Sequence, residues 1–243
     1  SCFFSDNSYS SRASNTSFSV KPNETLAILS PTGSGKSTLV HLLTGLLDYT
    51  EGSITIDSVE LKEIQKKCLR KNVGIVLQEP FLFSKTIYDN IKISRKDADK
   101  SKVYAAAKIA SVHDVISEFS GGYDTLVGEG GNRLSLGEKQ LISFARAIIA
   151  DPRILVLDEA TSSIDTETEY LIQKAINKLL EGRTSFIIAH RLSTIVNSDL
   201  ILVLKDGEVV ESGNHSELLA KKGYYFNLYK NQFKQEMEEK TLI

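Results

Sequence analysis

The stretch Leu26–Leu47, LAILSPTGSGKSTLVHLLTGLL, constrains this chain more than any other. Leu26-Ala27-Ile28-Leu29 is a short apolar run that suits a buried strand, and Pro31 to Gly35 is a turn with two glycines. From Lys36 onward Leu39, Leu42, Leu43 and Leu46 recur at helical spacing. Strand, Gly-rich turn and helix opening on Lys36-Ser37 make a phosphate cradle. Backbone N–H groups of the loop and the positive end of the helix face an anion, and Lys36 adds a full charge. Ser37 offers a hydroxyl to a magnesium ion. The usual pattern is G-x-x-x-x-G-K-[ST]; Ser30 stands at its first glycine, and the other positions fit.

With 243 residues, 41% hydrophobic and 25% charged, the chain is long enough for one large domain or a core carrying an inserted subdomain. A net charge of −2 gives no nucleic-acid footprint. No apolar run approaches the roughly 20 residues that span a bilayer. Cys2 and Cys68 are too few for a disulfide framework, which favours a reducing compartment.

Phe18-Ser19-Val20 reads as a strand, and Lys21-Pro22-Asn23-Glu24 as the turn into Thr25–Leu29, with Asn23 suited to a left-handed position. Ser53–Asp57 alternates as an exposed strand does. The basic residues of 60–72 (Lys62, Lys66, Lys67, Arg70 and Lys71) read as a solvated face rather than a phosphate site. Val73–Leu77, Ile154–Leu157, Thr184–Ala189 and Leu200–Leu204 read as strands. Lys205-Asp206-Gly207-Glu208 is a hairpin turn into Val209-Val210. Helical spacing runs from Ile87 to about Gly122, from Gly137 to Ala150 where Asp151-Pro152 stops it, through Glu167–Leu180, and from His215 to about Phe233. Strands alternating with helices predict an α/β fold whose sheet is mostly parallel and covered on both faces. The helical block interrupts that alternation and reads as an inserted subdomain at 84–150. The core then falls at 1–83 and 151–243 within a single domain spanning 1–243.

A phosphate loop needs a magnesium-side carboxylate at the end of a neighbouring buried strand, and Ile154-Leu155-Val156-Leu157-Asp158 supplies one. A lone aliphatic run ending in Asp is an ordinary strand end; beside the loop at Ser30–Thr38 it reads as a metal-side carboxylate. Glu159 follows directly, where a second carboxylate can polarise an attacking water.

With these residues in place the chain resembles the nucleotide-binding domain of an ABC transporter of the exporter type, along nearly its whole length. The family's signature, usually LSGGQ, is matched by Leu134-Ser135-Leu136-Gly137-Glu138. Gln78 matches the Q-loop, Ser163-Ile164-Asp165 the D-loop, and His190 the switch histidine. Leu126-Val127-Gly128-Glu129 resembles the exporter X-loop, and Pro80-Phe81-Leu82-Phe83 with Thr86-Ile87 and Asn90-Ile91 resembles the segment after the Q-loop.

The resemblance implies a P-loop NTPase (RecA-like) core with an antiparallel β subdomain and the inserted helical subdomain. It implies ATP with Mg2+ as the cofactor and hydrolysis of ATP as the activity. A second nucleotide-binding domain, identical or different, would stack head to tail, and transmembrane coupling helices would dock at the cytoplasmic face of a membrane. No nucleic-acid partner is expected. Ser30, Thr32, Gly33, Ser34, Gly35, Lys36, Ser37 and Thr38 would hold the phosphates, and Ser37, Gln78 and Asp158 the magnesium. Ser135, Gly137 and Glu138 would reach the partner's nucleotide, Asp165 the opposite subunit. Glu159 would be the general base, with His190, Gln78 and Lys36 completing the catalytic set. The adenine would stack on an aromatic, Phe4 as first choice and Tyr9 as second.

The departures from the family pattern are Ser30 and Asn23 at glycine positions, Leu136 and Glu138 in the signature, and Gly130 where exporters often carry Arg. A Glu138 carboxylate about 4 Å from a phosphate charge would cost up to roughly 4 kcal/mol at an intermediate dielectric, so its side chain is expected to point toward the ribose or away from the phosphate. Two other readings stand beside the exporter motor. One is a regulatory ATP-binding cassette with low turnover beside an active partner; the other is a soluble ABC ATPase outside transport.

Overall fold

The computed structural model describes residues 2–5, 16–31, 36–158, 164–189 and 192–231. Strands β1 (Cys2–Ser5), β2 (Thr16–Phe18) and β3 (Thr25–Leu29) precede helix α1 (Lys36–Leu43). The antiparallel pair β4 (Glu51–Ile56) and β5 (Val59–Glu60) is followed by a 3-10 turn at Leu61–Glu63, α2 (Lys66–Asn72) and β6 (Val73–Val76). Helices α3 (Ile87–Lys92), α4 (Lys100–Ile109), α5 (His113–Glu118) and α6 (Leu136–Ala150) come next. Then β7 (Ile154–Asp158), α7 (Thr166–Leu180), β8 (Thr184–Ile188) and α8 (Leu192–Val196) alternate. The chain continues through β9 (Leu200–Lys205), β10 (Glu208–Gly213) and α9 (His215–Lys221), and residues 224–231 are also helical. Among the described residues no helix is long and apolar enough to cross a membrane.

The chain divides into two compact units, Ser1–Arg70 with Thr184–Ile243, and Lys71–Arg183. In the first, strands lie in the order β10-β9-β3-β8, parallel except for β10 at the edge. Leu26 to Leu29, Ser185 to Ile188 and Ile201 to Leu204 are buried, because a parallel strand covered on both faces has no polar side. The edge strand β10 instead alternates exposed and half-buried residues. Its hairpin turn uses Asp206 and Gly207, both at positive φ, which matches the twist of a two-residue connection. Asn23 takes φ 65°, the left-handed position expected of it. A second sheet in this unit, β2-β1-β4-β5, is antiparallel throughout. Phe18 of β2 meets Phe186 of β8 edge to face at 6.5 Å, so one aromatic pair bridges the two sheets.

The second unit pairs β6 with β7 in parallel, from Val73 opposite Ile154 to Val76 opposite Leu157. Its core is built on α6, where Leu141, Ile142, Phe144 and Ala145 are at most 1% exposed. The helix ends at Asp151, which turns left-handed before Pro152.

Two helical stretches are more divided than their apolar spacing suggests. The segment after Ile87 is three helices: Asp99 caps α4 by accepting the Lys102 N–H, and Ser111 takes φ 56° between α4 and α5. The C-terminal stretch breaks at Lys222, left-handed at φ 51°, and at Gly223, whose missing Cβ makes room for the Glu211 carboxylate. That carboxylate accepts the Tyr224 and Tyr225 N–H groups and so opens a separate helix. The strand expected at 18–20 lies earlier, at Thr16–Phe18, and the strand at Cys2–Ser5 that pairs with it was not expected.

Candidate functional site

In the first unit β3 ends at Leu29, and the chain turns through Ser30 and Pro31 before α1 begins at Lys36. Ser30 keeps a negative φ, so a side chain is tolerated at the position where glycine is usual. The Lys36 ammonium folds over this turn, donating to the Ser30 and Pro31 carbonyls at 2.8 and 3.0 Å and to Ser30 Oγ at 3.1 Å. The serine hydroxyl thus serves as an acceptor for the lysine. Thr38 is half-buried on α1, and Ser37 lies in its first turn. Thr32, Gly33, Ser34 and Gly35 lie outside the described residues. So do Tyr9, Glu159, Ser163 and His190. Phe4 belongs to β1, opposite Thr16 on one side and Gly52 on the other.

In the second unit the C-terminal ends of β6 and β7 lie side by side. Asp158 closes β7, and the register that sets Val76 beside Leu157 brings the chain to Gln78 just past the same end. Crevices at such strand ends are where open parallel sheets hold ligands. Gln78 is exposed and Asp158 half-exposed. Among the described residues no group of three or more His, Cys, Asp or Glu is placed to hold a metal. A carboxylate and an amide at one sheet end suit magnesium, which keeps its waters and takes phosphate oxygens, rather than a zinc cage.

The signature stretch opens α6. Ser135 is its N-cap: Ser135 Oγ accepts the Glu138 N–H at 3.2 Å, and the Ser135 N–H donates to Glu138 Oε2 at 2.7 Å. This reciprocal pair is a capping box, and the S-x-x-E spacing that encodes it is visible in the sequence. The Glu138 carboxylate therefore turns back onto its own helix end, where the helix dipole favours negative charge. Gly137 is buried against α7: a Cβ there would meet Thr168 Cγ2 at 2.2 Å. Thr168 is in turn held by the D-loop. Its N–H donates to Asp165 Oδ1 at 2.8 Å and, with its hydroxyl, holds the Asp165 carboxyl below the usual range. The helix starts at Ser135 and Asp165 are thus neighbours, with Gly137 packed against Thr168 and Ile164.

Sequence reading missed a second network in this unit. Asn90 is fully buried and pairs with Phe83 at two points, accepting its N–H at 2.9 Å and donating to its carbonyl at 3.0 Å. Arg146 of α6 donates to the Asn90 carbonyl, Asn90 Oδ1 and the Phe81 carbonyl at 3.0, 3.0 and 2.9 Å. The available signal was a cation inside the apolar run Ile142–Ile149. Phe81 and Phe83, held edge to face at 5.2 Å, are 60% and 41% exposed, and Leu126 of the neighbouring X-loop stretch is 56% exposed. The Thr86–Leu126 bridge brings these two stretches together.

Residues 13–162 match the family described as "ABC transporter". The chain is 50% identical over 216 residues to the uncharacterized ABC transporter ATP-binding protein YfiC of Bacillus subtilis, covering 89% of this chain and 36% of that protein. It is 46% identical over 214 residues to the beta-(1-->2)glucan export ATP-binding/permease protein NdvA of Bartonella henselae, covering 88% of this chain and again 36% of the relative. A solved bacterial Atm1-family ABC exporter with ATP bound superimposes with a TM-score of 0.85 at 40% identity, over 97% of this chain and 40% of that one. The chain thus spans little more than a third of the length of these relatives. On the family match and the shared α/β architecture, this chain belongs to the ABC transporter family.

Proposed function

We propose that this chain is the ATP-hydrolysing motor domain of an exporter, working as one of two cassettes that close on ATP and magnesium. The observation that carries the reading is the start of α6: Ser135 stands exposed at a capped, anion-attracting helix end, pinned beside Asp165. Lys36 and the 30–38 loop would hold the phosphates of one ATP, and Ser135 and Gly137 of the second cassette would close over its γ-phosphate. Ser37, Gln78 and Asp158 would hold magnesium, whose part is to neutralise phosphate charge. Glu159 would take a proton from the attacking water, with His190 and Gln78 orienting it. An aromatic, Phe4 by first choice, would stack on the adenine.

The second cassette, identical or different, completes each site. The exposed Phe81, Phe83 and Leu126 support docking of membrane-domain coupling helices on this face, which would set the chain at the cytoplasmic side of a membrane. Within this reading 84–150 acts as the helical subdomain of one ABC ATPase domain. The test is steady-state ATP turnover of the wild type against Glu159→Gln. Loss of turnover with retained ATP binding is expected, since the amide cannot accept the proton. Equal turnover in the two removes Glu159 from the role of base.

A further inference from the structure

Arg146 is an unusual residue to find in the middle of α6. Its neighbours on that helix, Phe144, Ala145, Ala147 and Ile148, are buried apolar residues. A guanidinium here loses solvation, and burial lowers its pKa. Its Nε, Nη1 and Nη2 each donate to a neutral oxygen, of Asn90, Phe81 and Asn90 again. A fork of fixed geometry that reaches three acceptors holds their positions far better than a flexible ammonium does.

What those acceptors hold is specific. Asn90 grips Phe83 at both its N–H and its carbonyl and also donates to the Thr86 carbonyl at 3.0 Å, so the 81–90 segment is tied into one piece. The guanidinium also lies 5.9 Å from the Phe83 ring centre. One end of α6 is therefore the Ser135 cap, and further along the same helix sits a rigid attachment to the exposed aromatic pair that follows Gln78.

We propose that Arg146 is a positioning residue, a strut that makes the signature helix and the Phe81–Asn90 segment move as one body, so that closure at Ser135 is delivered to the exposed Phe81–Phe83 surface. This rests on the nucleotide-clamp reading above. A solely structural role predicts only a less stable unit; a strut predicts that the two segments stop responding together while nucleotide still binds.

The test is hydrogen exchange on the 243-residue chain carrying Glu159→Gln, with and without ATP and magnesium, in the Arg146 parent, Arg146→Lys and Arg146→Met. The Phe83 amide, bonded to Asn90 Oδ1, reports on the attachment directly. In the parent, ATP is expected to slow exchange at both 135–139 and 83–90. Arg146→Met keeps the first response and loses the second, and Arg146→Lys keeps part of the second. If Arg146→Met does not fold, the weakened response in Arg146→Lys carries the test. Equal slowing at 83–90 in all variants that fold overturns the strut, as does a parent that responds at 135–139 but not at 83–90. A parent that responds at neither segment overturns the nucleotide clamp, and the strut with it.

Discussion

At Gly137 a single added methyl group has nowhere to go, because Thr168 Cγ2 already occupies the space. Gly137→Ala should therefore destabilise the second unit by about 1–3 kcal/mol, the usual range for overpacking, and this is read as a lower melting temperature. Adding Thr168→Ser removes the clashing methyl and keeps the hydroxyl. The double variant should recover most of the loss, whereas two simply additive losses would rule out the contact as the cause. A second residue sets a pH response. Burial lowers the His215 pKa, and its Nδ1 pairs with the fully buried Tyr225 hydroxyl at 2.7 Å. The unfolded chain, with a histidine pKa of about 6.5, then binds the proton more readily than the folded one. Stability from this residue is complete above about pH 6.5 and declines as the pH falls through that value toward the lower folded pKa. Urea unfolding from pH 5 to 8 should show a shallower slope in His215→Gln than in the wild type; an unchanged slope contradicts the assignment.

Among the elements, the capping box of α6 makes the clearest demand. Ser135→Ala removes the acceptor for the Glu138 N–H and should cost about 0.5–2 kcal/mol, the range for losing an N-cap side chain. Glu138→Gln keeps an acceptor for the Ser135 N–H, so it should change stability far less while relieving a negative charge next to the proposed phosphate site. ATP-driven association should then tighten modestly in Glu138→Gln, and a weaker dimer counts against the repulsion. The elements differ in how plainly the sequence encodes them, for physical reasons. Strands β3, β7 and β9 are legible because burial on both faces writes them as apolar runs of four or five residues, and β8 by Phe186-Ile187-Ile188 after its buried Ser185. The division of the 87–122 region is not, because Val103, Ala106, Ala107 and Ala110 keep helical spacing while the breaks depend on a cap at Asp99 and a left-handed Ser111. The C-terminal break was signalled by Gly223, but the Glu211 carboxylate that exploits it comes from a different strand.

At the level of the molecule, the strand before Ser30, the helix from Lys36, the strand ending at Asp158 and the helix after Ser135 are legible as local patterns, each a short run with its own spacing. The capping box belongs with them, since Ser135 and Glu138 stand at the required separation. The Asn90–Arg146 network was not legible, since it joins two polar residues in separate helices that only the tertiary packing brings together. The central claim is that neither cassette alone forms a complete nucleotide site. Size-exclusion chromatography of Glu159→Gln, with ATP present and magnesium added or withheld, tests it most directly. The account predicts an ATP-dependent shift from monomer to dimer that Ser135→Ala weakens; a chain that binds ATP and remains monomeric under every condition would contradict it.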